Sequence, residues 1–488
     1  MANNTTKKDL YLVHLIIGIG IMIAFRVLPI QLPHVTATGM EILGIFVGTL
    51  YLWSTSDPIW ASIFAIFMVG LSSYSSMNAV LTSTFGNPIL VQVFFLLTIV
   101  NCLVENNLTE YVGRFFLTRK ICTGRPWMLS FFIMLGCMLM AAFMNAFAPI
   151  FLFWPILYDI FQMTGMKAHE KYPTIMVILV ALASMLGFPV PPFMGNGLAL
   201  LNNYVTVTTN MGSPVVIDNA GYLLLGLIHG LICIILIILF CKFILRPDTS
   251  KLKAITPEML NSNPLPPMSL RQKLIGGSFV VFIITLLVPS LFSATAIGKF
   301  ISANTYGICL FYTFLLCVVR IDKKPLLNYT QTMKRFAWAT YFLIASAILL
   351  GSALTSDVTG ISQFLNAVLL PIFQNISPGM FSIIVMLLTV LLTNVCNSFV
   401  IGILMQPVIA TFCLATGVNS APIVAVMIQF VLSSAAVTPA ASPFAAMLFG
   451  NKDWLKAGNI YKYTLMFVGI ELLIVFLCTL PLANILVG

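Results

Sequence analysis

Asn145-Ala-Phe147-…-Leu152-…-Pro155-…-Thr164-Gly165 and Asn397-Ser-Phe399-…-Leu404-…-Pro407-…-Thr416-Gly417 are the two stretches that decide how this chain folds. They lie 252 residues apart, and six of 21 positions are identical: Asn145/Asn397, Phe147/Phe399, Leu152/Leu404, Pro155/Pro407, Thr164/Thr416 and Gly165/Gly417. Each stretch is apolar, opens on a polar tip and carries an internal proline. The pattern reads as a hairpin that dips into a membrane and returns to the side it entered, once in each half of the chain.

The composition of the remaining chain agrees. Of 488 residues, 60% are hydrophobic and 8% charged, and the mean hydropathy is +1.03; a soluble domain carries about 25% charged residues. The apolar runs reach the ~20 residues that span a bilayer. In hydrocarbon the backbone must pair with itself, so these runs are expected to be helices. A membrane barrel would alternate in segments of about ten residues, and no such segments appear. The formal net charge of +10 could suggest nucleic acid, but the basic residues sit in short loops between apolar runs, as membrane insertion requires. No nucleic-acid partner is expected. The ten cysteines are scattered without a CxxC pair and read as packing residues rather than disulfides or metal ligands. The polar start and the long first apolar run, which lacks a cleavage site, read as a retained helix.

Spans are expected at about 10–30, 36–54, 57–74, 88–112, 221–245, 273–292, 299–319, 336–356 and 462–486. Hairpins are expected at about 127–163 and 379–416. Interrupted spans are expected at about 172–208 and 421–450. The organisation that follows is an N-terminal helix (1–35), scaffold helices of the first repeat (36–126) and its hairpin and broken helix (127–220). A connecting helix and cytoplasmic loop (221–272) lead to scaffold helices of the second repeat (273–377), its transport elements (378–450) and a C-terminal helix (451–488). The fold class is an all-α polytopic membrane protein with about 11 transmembrane helices plus two re-entrant hairpins.

Charge provides an independent check. With the N-terminus cytoplasmic and the C-terminus external, 22 of 24 basic residues fall inside, leaving Arg26 and Lys299 outside. The first hairpin exits through Lys167-Ala-His-Glu-Lys171, which is charged. The second exits through Val418-Asn-Ser-Ala421, which is neutral. The two halves therefore have opposite orientation, as an inverted repeat does, and such paired interrupted segments mark a transporter's substrate site.

After each hairpin comes a span that cannot remain helical: Gly187-Phe-Pro189-Val-Pro191-Pro192-Phe-Met-Gly195-Asn196-Gly197, then Thr438-Pro439-Ala-Ala-Ser442-Pro443. Proline removes a backbone donor and clashes with the preceding turn. Unwound backbone at membrane depth is tolerated only where it is buried in protein or lines a wet cavity. Two tips and two breaks give four half-helix N-termini, near Ala146, Leu198, Ser398 and Phe444, each with about half a positive charge and unpaired N–H groups. Together they suit an anion with no lysine or arginine at the site. The residues expected to bind it are Met144, Asn145, Ala146, Pro189, Asn196, Cys396, Asn397, Ser398, Thr438 and Pro439. A proline break can also be only a kink, and an asparagine can be interhelical glue stabilising packing by about 1 kcal/mol; the matched recurrence of both features favours a ligand. Among membrane acids, Asp159 sits near the cytoplasmic end of the first hairpin, and Glu41 and Glu471 lie in peripheral spans. His14, His34, His169 and His229 have no ligand spacing and read as structural. No nucleophile, metal or phosphate-loop motif appears, so an enzyme is not expected.

Several segments resemble the divalent anion/sodium symporter family of the ion transporter superfamily. Leu52-Trp53-Ser-Thr-Ser-Asp57-Pro58 is similar to that family's early Trp-x-Thr-Glu-x-x-Pro segment. Phe85-Gly-Asn87-Pro88 with Glu105-Asn-Asn-Leu108, and Trp338 with Leu350-Gly351-Ser352 and Thr359-Gly360, resemble its scaffold helices. The family's tips read Ser-Asn-Thr and contact substrate carboxylate and sodium. Here they read Met144-Asn145-Ala146 and Cys396-Asn397-Ser398, so both asparagines persist while three of four hydroxyls are replaced. A hard cation wants several oxygens; Asn397, Ser398, Thr438 and Ser442 are the set that could hold one sodium as a coupling ion. The resemblance implies a homodimer in a plasma membrane, moving its transport elements as a body in an elevator-type cycle. It implies secondary transport of a small organic anion, a mono- or dicarboxylate, as exchanger or sodium-coupled symporter. The alternative is a cation/proton antiporter of the same superfamily, which would need a midplane carboxylate that the broken helices lack.

Overall fold

The computed structural model describes residues 2–27, 31–117, 119–254, 265–292, 294–334, 336–361, 363–364, 367–368, 376–395, 397–439 and 441–488. Cys396, Arg335 and residues 255–264 of the long central loop lie outside the described residues. The first half contains α1 (Ala2–Val27), α2 (Ala37–Thr55), α3 (Pro58–Leu71), α4 (Met77–Phe85), α5 (Pro88–Glu105) and α6 (Leu108–Leu117). The hairpin arms α7 (Pro126–Phe143) and α8 (Ala148–Met163) follow, then α9 (Lys171–Gly187), α10 (Gly195–Asn210) and α11 (Asn219–Phe240). The second half contains α12 (Leu270–Leu291), α13 (Ala296–Ala303), α14 (Thr305–Val318), α15 (Tyr329–Lys334) and α16 (Trp338–Thr355). It ends with α17 (Pro378–Thr393), α18 (Ser398–Thr416), α19 (Ala421–Ser433), α20 (Pro443–Gly450), α21 (Ala457–Ile474) and α22 (Leu480–Leu486). A two-residue ribbon pairs Arg320–Ile321 with Lys324–Pro325.

The internal repeat is visible in the element order. Helices α7 to α10 start at residues 126, 148, 171 and 195; α17 to α20 start at 378, 398, 421 and 443. The offset thus stays within 248–252 residues across both hairpins and both broken helices. Several identical positions have identical local roles. Asn145 Oδ1 accepts from Phe147 N at 2.9 Å, and Asn397 Oδ1 accepts from Phe399 N at 3.0 Å. Thr164 and Thr416 each donate to the carbonyl four residues back, at 2.7 and 2.8 Å. Gly165 and Gly417 both have φ of +68°, a conformation glycine adopts without steric penalty, and each ends its helix there.

Local sequence explains the helix starts. Asp57 caps α3 by accepting from Ile59 N, and Asn87 caps α5 by accepting from Ile89 N, each with proline in the first turn. These are the Asp57-Pro58 and Asn87-Pro88 segments noted in the sequence. Trp53 Nε1 donates to Ser62 Oγ at 2.9 Å, fastening α2 to α3. The two halves join where Thr36 N donates to Thr359 O at 3.0 Å; a Cβ on Gly39 would stand 1.9 Å from that same carbonyl.

Among the described residues, six helices are long and apolar enough to cross a bilayer, and eight shorter apolar helices accompany them. The continuous span expected at 299–319 is instead α13 and α14, bent by 81° at Asn304, whose side chain donates to Phe300 O and ends α13. The run expected at 88–112 breaks at Asn106-Asn107, where Asn107 takes φ +55°. The stretch left between 74 and 88 contains α4, capped by Ser76.

Helices α9 and α19 are deeply enclosed: every residue from Tyr172 to Gly187 and from Ala421 to Ser433 is buried. Arm α7 crosses α9 so closely that a Cβ on Gly187 would stand 2.0 Å from Met138 O. Backbone on one side and backbone on the other leave nothing to move aside. Gly187→Ala is therefore expected to lower stability by about 1–3 kcal/mol, read as a lower melting temperature in detergent. Gly20→Ala, where a Cβ meets nothing within 4 Å, should leave the melting temperature unchanged or slightly raised.

Candidate functional site

The breaks fall where the prolines place them. Helix α9 stops at Gly187, and residues 188–194 run non-helically to α10. Helix α19 stops at Ser433, and residues 434–442 run to α20. The half-helices start at Ala148, Gly195, Ser398 and Pro443, within three residues of the positions read from sequence.

Aromatic stacking draws three of these points together. The Phe147 ring at the first tip stacks on Phe444 at the start of α20, centroids 4.7 Å apart and planes 28° apart. Phe188, the first residue of the first break, lies against the same ring at 5.6 Å. The first hairpin thus packs on the broken helix of the second repeat as well as its own. Lower down, Tyr158 of α8 stacks on Trp454 at 4.4 Å and accepts from Asn451 Nδ2 at 2.6 Å.

Asn394, a residue the sequence reading passed over, ties the second tip to the second break. Its Nδ2 donates to Val390 O at 2.8 Å and Ser434 O at 3.0 Å. Its Oδ1 accepts from Ala436 N at 3.1 Å and Val437 N at 2.8 Å, and its backbone carbonyl accepts from Thr438 Oγ1 at 2.6 Å. Ser398 N adds a bond to Ala441 O at 3.1 Å, and Thr393 Oγ1 another to Val431 O at 3.0 Å. A polar residue three places before the tip asparagine was the available signal. Which partner it would serve was not legible, because that partner is 40 residues away.

The expected binding residues occupy the following places. Asn145 Oδ1 accepts from both Phe147 N and Ala148 N, so it caps α8 from within the tip. Its amide group has no partner among the described residues. Met144 is buried, and Ala146 is half-buried beside it. Asn397 caps α18 in the same way. Ser398, Thr438 and Ser442 gather around the second break through the bonds above, and Ser442 caps α20 by accepting from Ala445 N at 3.2 Å. Pro439 is exposed. Pro189 presents its carbonyl to Tyr222 Oη at 3.0 Å, deep in the protein. Asn196 is half-buried in the first turn of α10.

The four half-helix N-termini are not equivalent. Those of α8, α18 and α20 are each partly satisfied by a side chain of the same turn. That of α10 has no side-chain cap at Met194, so the amides of Gly195, Asn196 and Gly197 are left without partners among the described residues. Gly195 holds φ +57° there, and Gly197 approaches the carbonyls of Pro189 and Pro191. Among the described residues, this end alone of the four has no side-chain oxygen accepting from its first-turn amides, so its share of the helix dipole is met only by backbone carbonyls. No Lys or Arg occurs from 126 to 166, from 172 to 241, or from 336 to 451. Any anion held here is held by dipoles and amide donors.

The oxygens suited to a cation lie around the second break. Thr438 and Ser442 give their protons to the carbonyls of Asn394 and Ala435, which leaves oxygen lone pairs, the donors that sodium takes. Of the isolated acids, Asp159 is exposed, and Glu41 pairs with Arg26 at 3.4 Å and accepts from Ser73 N at 2.8 Å.

This arrangement of doubled hairpins and broken helices accords with what the chain matches. The citrate transporter family, CitMHS, matches over residues 48–450. The chain belongs to that family. It is a multi-pass membrane transporter and not an enzyme, and at the level of the ion transporter superfamily the resemblance seen in the sequence holds. The structure is similar to that of the Alcanivorax borkumensis YdaH transporter, described as having an unusual topology. The TM-score is 0.59 at 14% identity, over 93% of this chain and 98% of that one. No curated protein matches the chain in direct sequence comparison.

Asn394→Ala removes one acceptor serving two backbone amides of the 434–442 break. Hydrogen exchange at Ala436 and Val437 is expected to accelerate, with a loss of stability of about 1–3 kcal/mol. Exchange in the 188–194 break should change little.

Proposed function

We propose that this protein is a secondary transporter of small organic anions carrying carboxylates, with the substrate seated where the two tips and two breaks meet. The single observation that carries this reading is the convergence of Phe147, Phe188 and Phe444 beside the uncapped α10 N-terminus, in segments free of lysine and arginine. Carboxylates fit amide donors at helix ends, and half-helix N-termini near the midplane are how transporters meet anionic groups. Membership of a citrate transporter family supports a polycarboxylate as the first candidate, beside the mono- or dicarboxylate that the symporter resemblance implies.

In this reading Asn145 and Asn397 have two tasks. Their carbonyl ends cap α8 and α18, and their amide ends offer donors to the substrate. The aromatic cluster shapes the apolar wall. Sodium, if coupled, binds at Asn397, Ser398, Thr438 and Ser442; exchange of one anion for another is the other coupling mode. The hairpins and broken helices travel as one body past the scaffold helices, the elevator scheme implied by the divalent anion/sodium symporter resemblance, within a homodimer.

Uptake of labelled citrate, succinate and acetate into proteoliposomes, with and without a sodium gradient and with internal substrate, tests the reading. Accumulation of at least one carboxylate is expected; failure of all three would refute it. Asn145→Ala and Asn397→Ala are each expected to reduce uptake by at least about tenfold, the effect of losing a charge-assisted hydrogen bond of ~1.5–3 kcal/mol. Normal uptake in both would move the site elsewhere.

A further inference from the structure

The segment between the end of α5 and the first hairpin contains a helix that does not cross the membrane. Helix α6 has ten residues, about 15 Å of length, half the ~30 Å of a hydrocarbon core. It packs against both hairpin arms, α7 and α8. A Cβ on Gly113 would stand 2.2 Å from Leu152 Cδ2 of α8, and one on Gly136 of α7 would meet the Phe116 ring at 3.0 Å. One side of the segment is thereby held, with Leu108, Phe116 and Cys122 buried. The other side is open. Phe115 and Ile121 are 52% and 41% exposed, and Arg119 and Arg125 are exposed as well.

Arg119 is the informative side chain. Its Nε donates to Phe115 O at 2.7 Å, and its guanidinium carbon lies 3.7 Å from the centre of the Phe115 ring. The first contact satisfies a carbonyl in the last turn of α6, and the second fixes the guanidinium plane on an aromatic face. Neither uses the two Nη groups, which have no partner among the described residues. An arginine held in this way keeps a rigid fork of N–H donors ready for two oxygens of one phosphate.

The surroundings carry the same sign. Residues 108–125 hold four basic side chains and one acid, and residues 246–253 hold three and one. The two segments lie together. A Cβ on Gly124 would stand 3.5 Å from Lys253 O, and Lys251 Nζ donates to Gly165 O at 2.9 Å and pairs with Glu170 at 3.6 Å. Lys253 is exposed. At the 252-residue offset of the repeat, the stretch 361–377 that leads into the second hairpin contains no charged residue. Basic residues near span ends also serve membrane insertion. Insertion, however, depends on the number of charges and does not require a guanidinium stacked on an exposed ring.

We propose that the open face of 108–125 docks an anionic phospholipid, with the phosphodiester in the Arg119 fork and Phe115 and Ile121 at the boundary of headgroup and acyl chain. A soluble phosphate would make no use of the two exposed apolar side chains, whereas a lipid buries them at that boundary. A negatively charged leaflet attracts the remaining basic residues around the fork. Because α6 lies against both arms through Gly113 and Phe116, a bound headgroup holds it as a fixed strut beside the first hairpin. On the transport reading above, on which this last step rests, uptake is faster in membranes that contain the anionic lipid.

Two measurements test this. In the first, the purified protein in detergent is given phosphatidylglycerol or phosphatidylcholine, and retained lipid is counted by native mass spectrometry with no substrate present. Phosphatidylglycerol should be retained in preference. Arg119→Gln should weaken that retention about fivefold, the loss of one basic contact at an anionic surface, and Arg119→Lys, which keeps the charge without the fork, should restore only part of it. Lys299→Gln, which alters an exposed residue of α13 outside the patch, should retain lipid as the wild type does. Equal retention of both lipids by the wild type, or undiminished retention in Arg119→Gln, overturns the site. Displacement of the lipid by inorganic phosphate overturns the assignment to a lipid. In the second, citrate uptake is compared in vesicles of phosphatidylcholine alone and of phosphatidylcholine with phosphatidylglycerol. The wild type should be several-fold faster in the mixed vesicles, and Arg119→Gln should lose most of that gain. Indifference of the wild type, or an equal gain in Arg119→Gln, overturns the coupling to the hairpin. If citrate moves in neither vesicle, the transport reading fails, while mass spectrometry still decides whether the face docks an anionic lipid. Should Arg119→Gln not fold, Arg119→Lys and Arg125→Gln carry both measurements.

Discussion

The pairing of backbone amides at membrane depth is the constraint on which the rest of the structure depends. Prolines at 189, 191, 192, 439 and 443 forbid continuous helices, and hydrocarbon forbids unpaired peptide groups. The resulting breaks persist only because neighbouring groups satisfy them. Asn394 does this for the second break with five hydrogen bonds, one to its own helix at Val390 and four across to residues 434–438. The first break relies instead on packing, on Tyr222 at the Pro189 carbonyl, and on the close approach of Gly197.

That difference makes the two pseudo-equivalent breaks chemically unlike. The second is saturated with internal hydrogen bonds and rich in hydroxyl oxygens. The first leaves three amides of α10 without partners among the described residues. An inverted repeat with identical halves would present two similar half-sites; this one presents a donor-rich half and an acceptor-rich half. On the transport reading proposed above, an anion and a cation would be drawn to opposite sides of the same junction, a consequence of which side chains cap which helix ends.

Packing makes the hairpins and breaks one interlocked unit. Phe444 is shared by Phe147 and Phe188, and α10 is stitched to α18 by Asn203 Nδ2 donating to Gln406 Oε1 at 2.6 Å and Gln406 Nε2 donating to Leu200 O at 2.8 Å. Helix α11 packs against α7, α9 and α21 as well, which is how His229 comes to lie within reach of Glu471 and Ser433. Local polar order therefore extends from the tips to the middle of the C-terminal span.

The sequence by itself determined the membrane class, the doubled hairpins and the position of each break, because these depend on local patterns: apolar run length, proline placement, and asparagine, threonine and glycine at fixed offsets. Asn145, Thr164 and Gly165 act within their own hairpin, as do Asn397, Thr416 and Gly417, so their roles could be read from spacing. Only the tertiary structure decided the partners of Asn394, the shared ring of Phe444, the missing cap on α10, the bend at Asn304 and the meeting of His229 with Glu471. Apart from the bend at Asn304 and the open end of α10, those contacts join residues tens to hundreds of positions apart. A single chain carries no periodicity that encodes them; they exist only once helices have packed and every buried polar group has found, or failed to find, a partner.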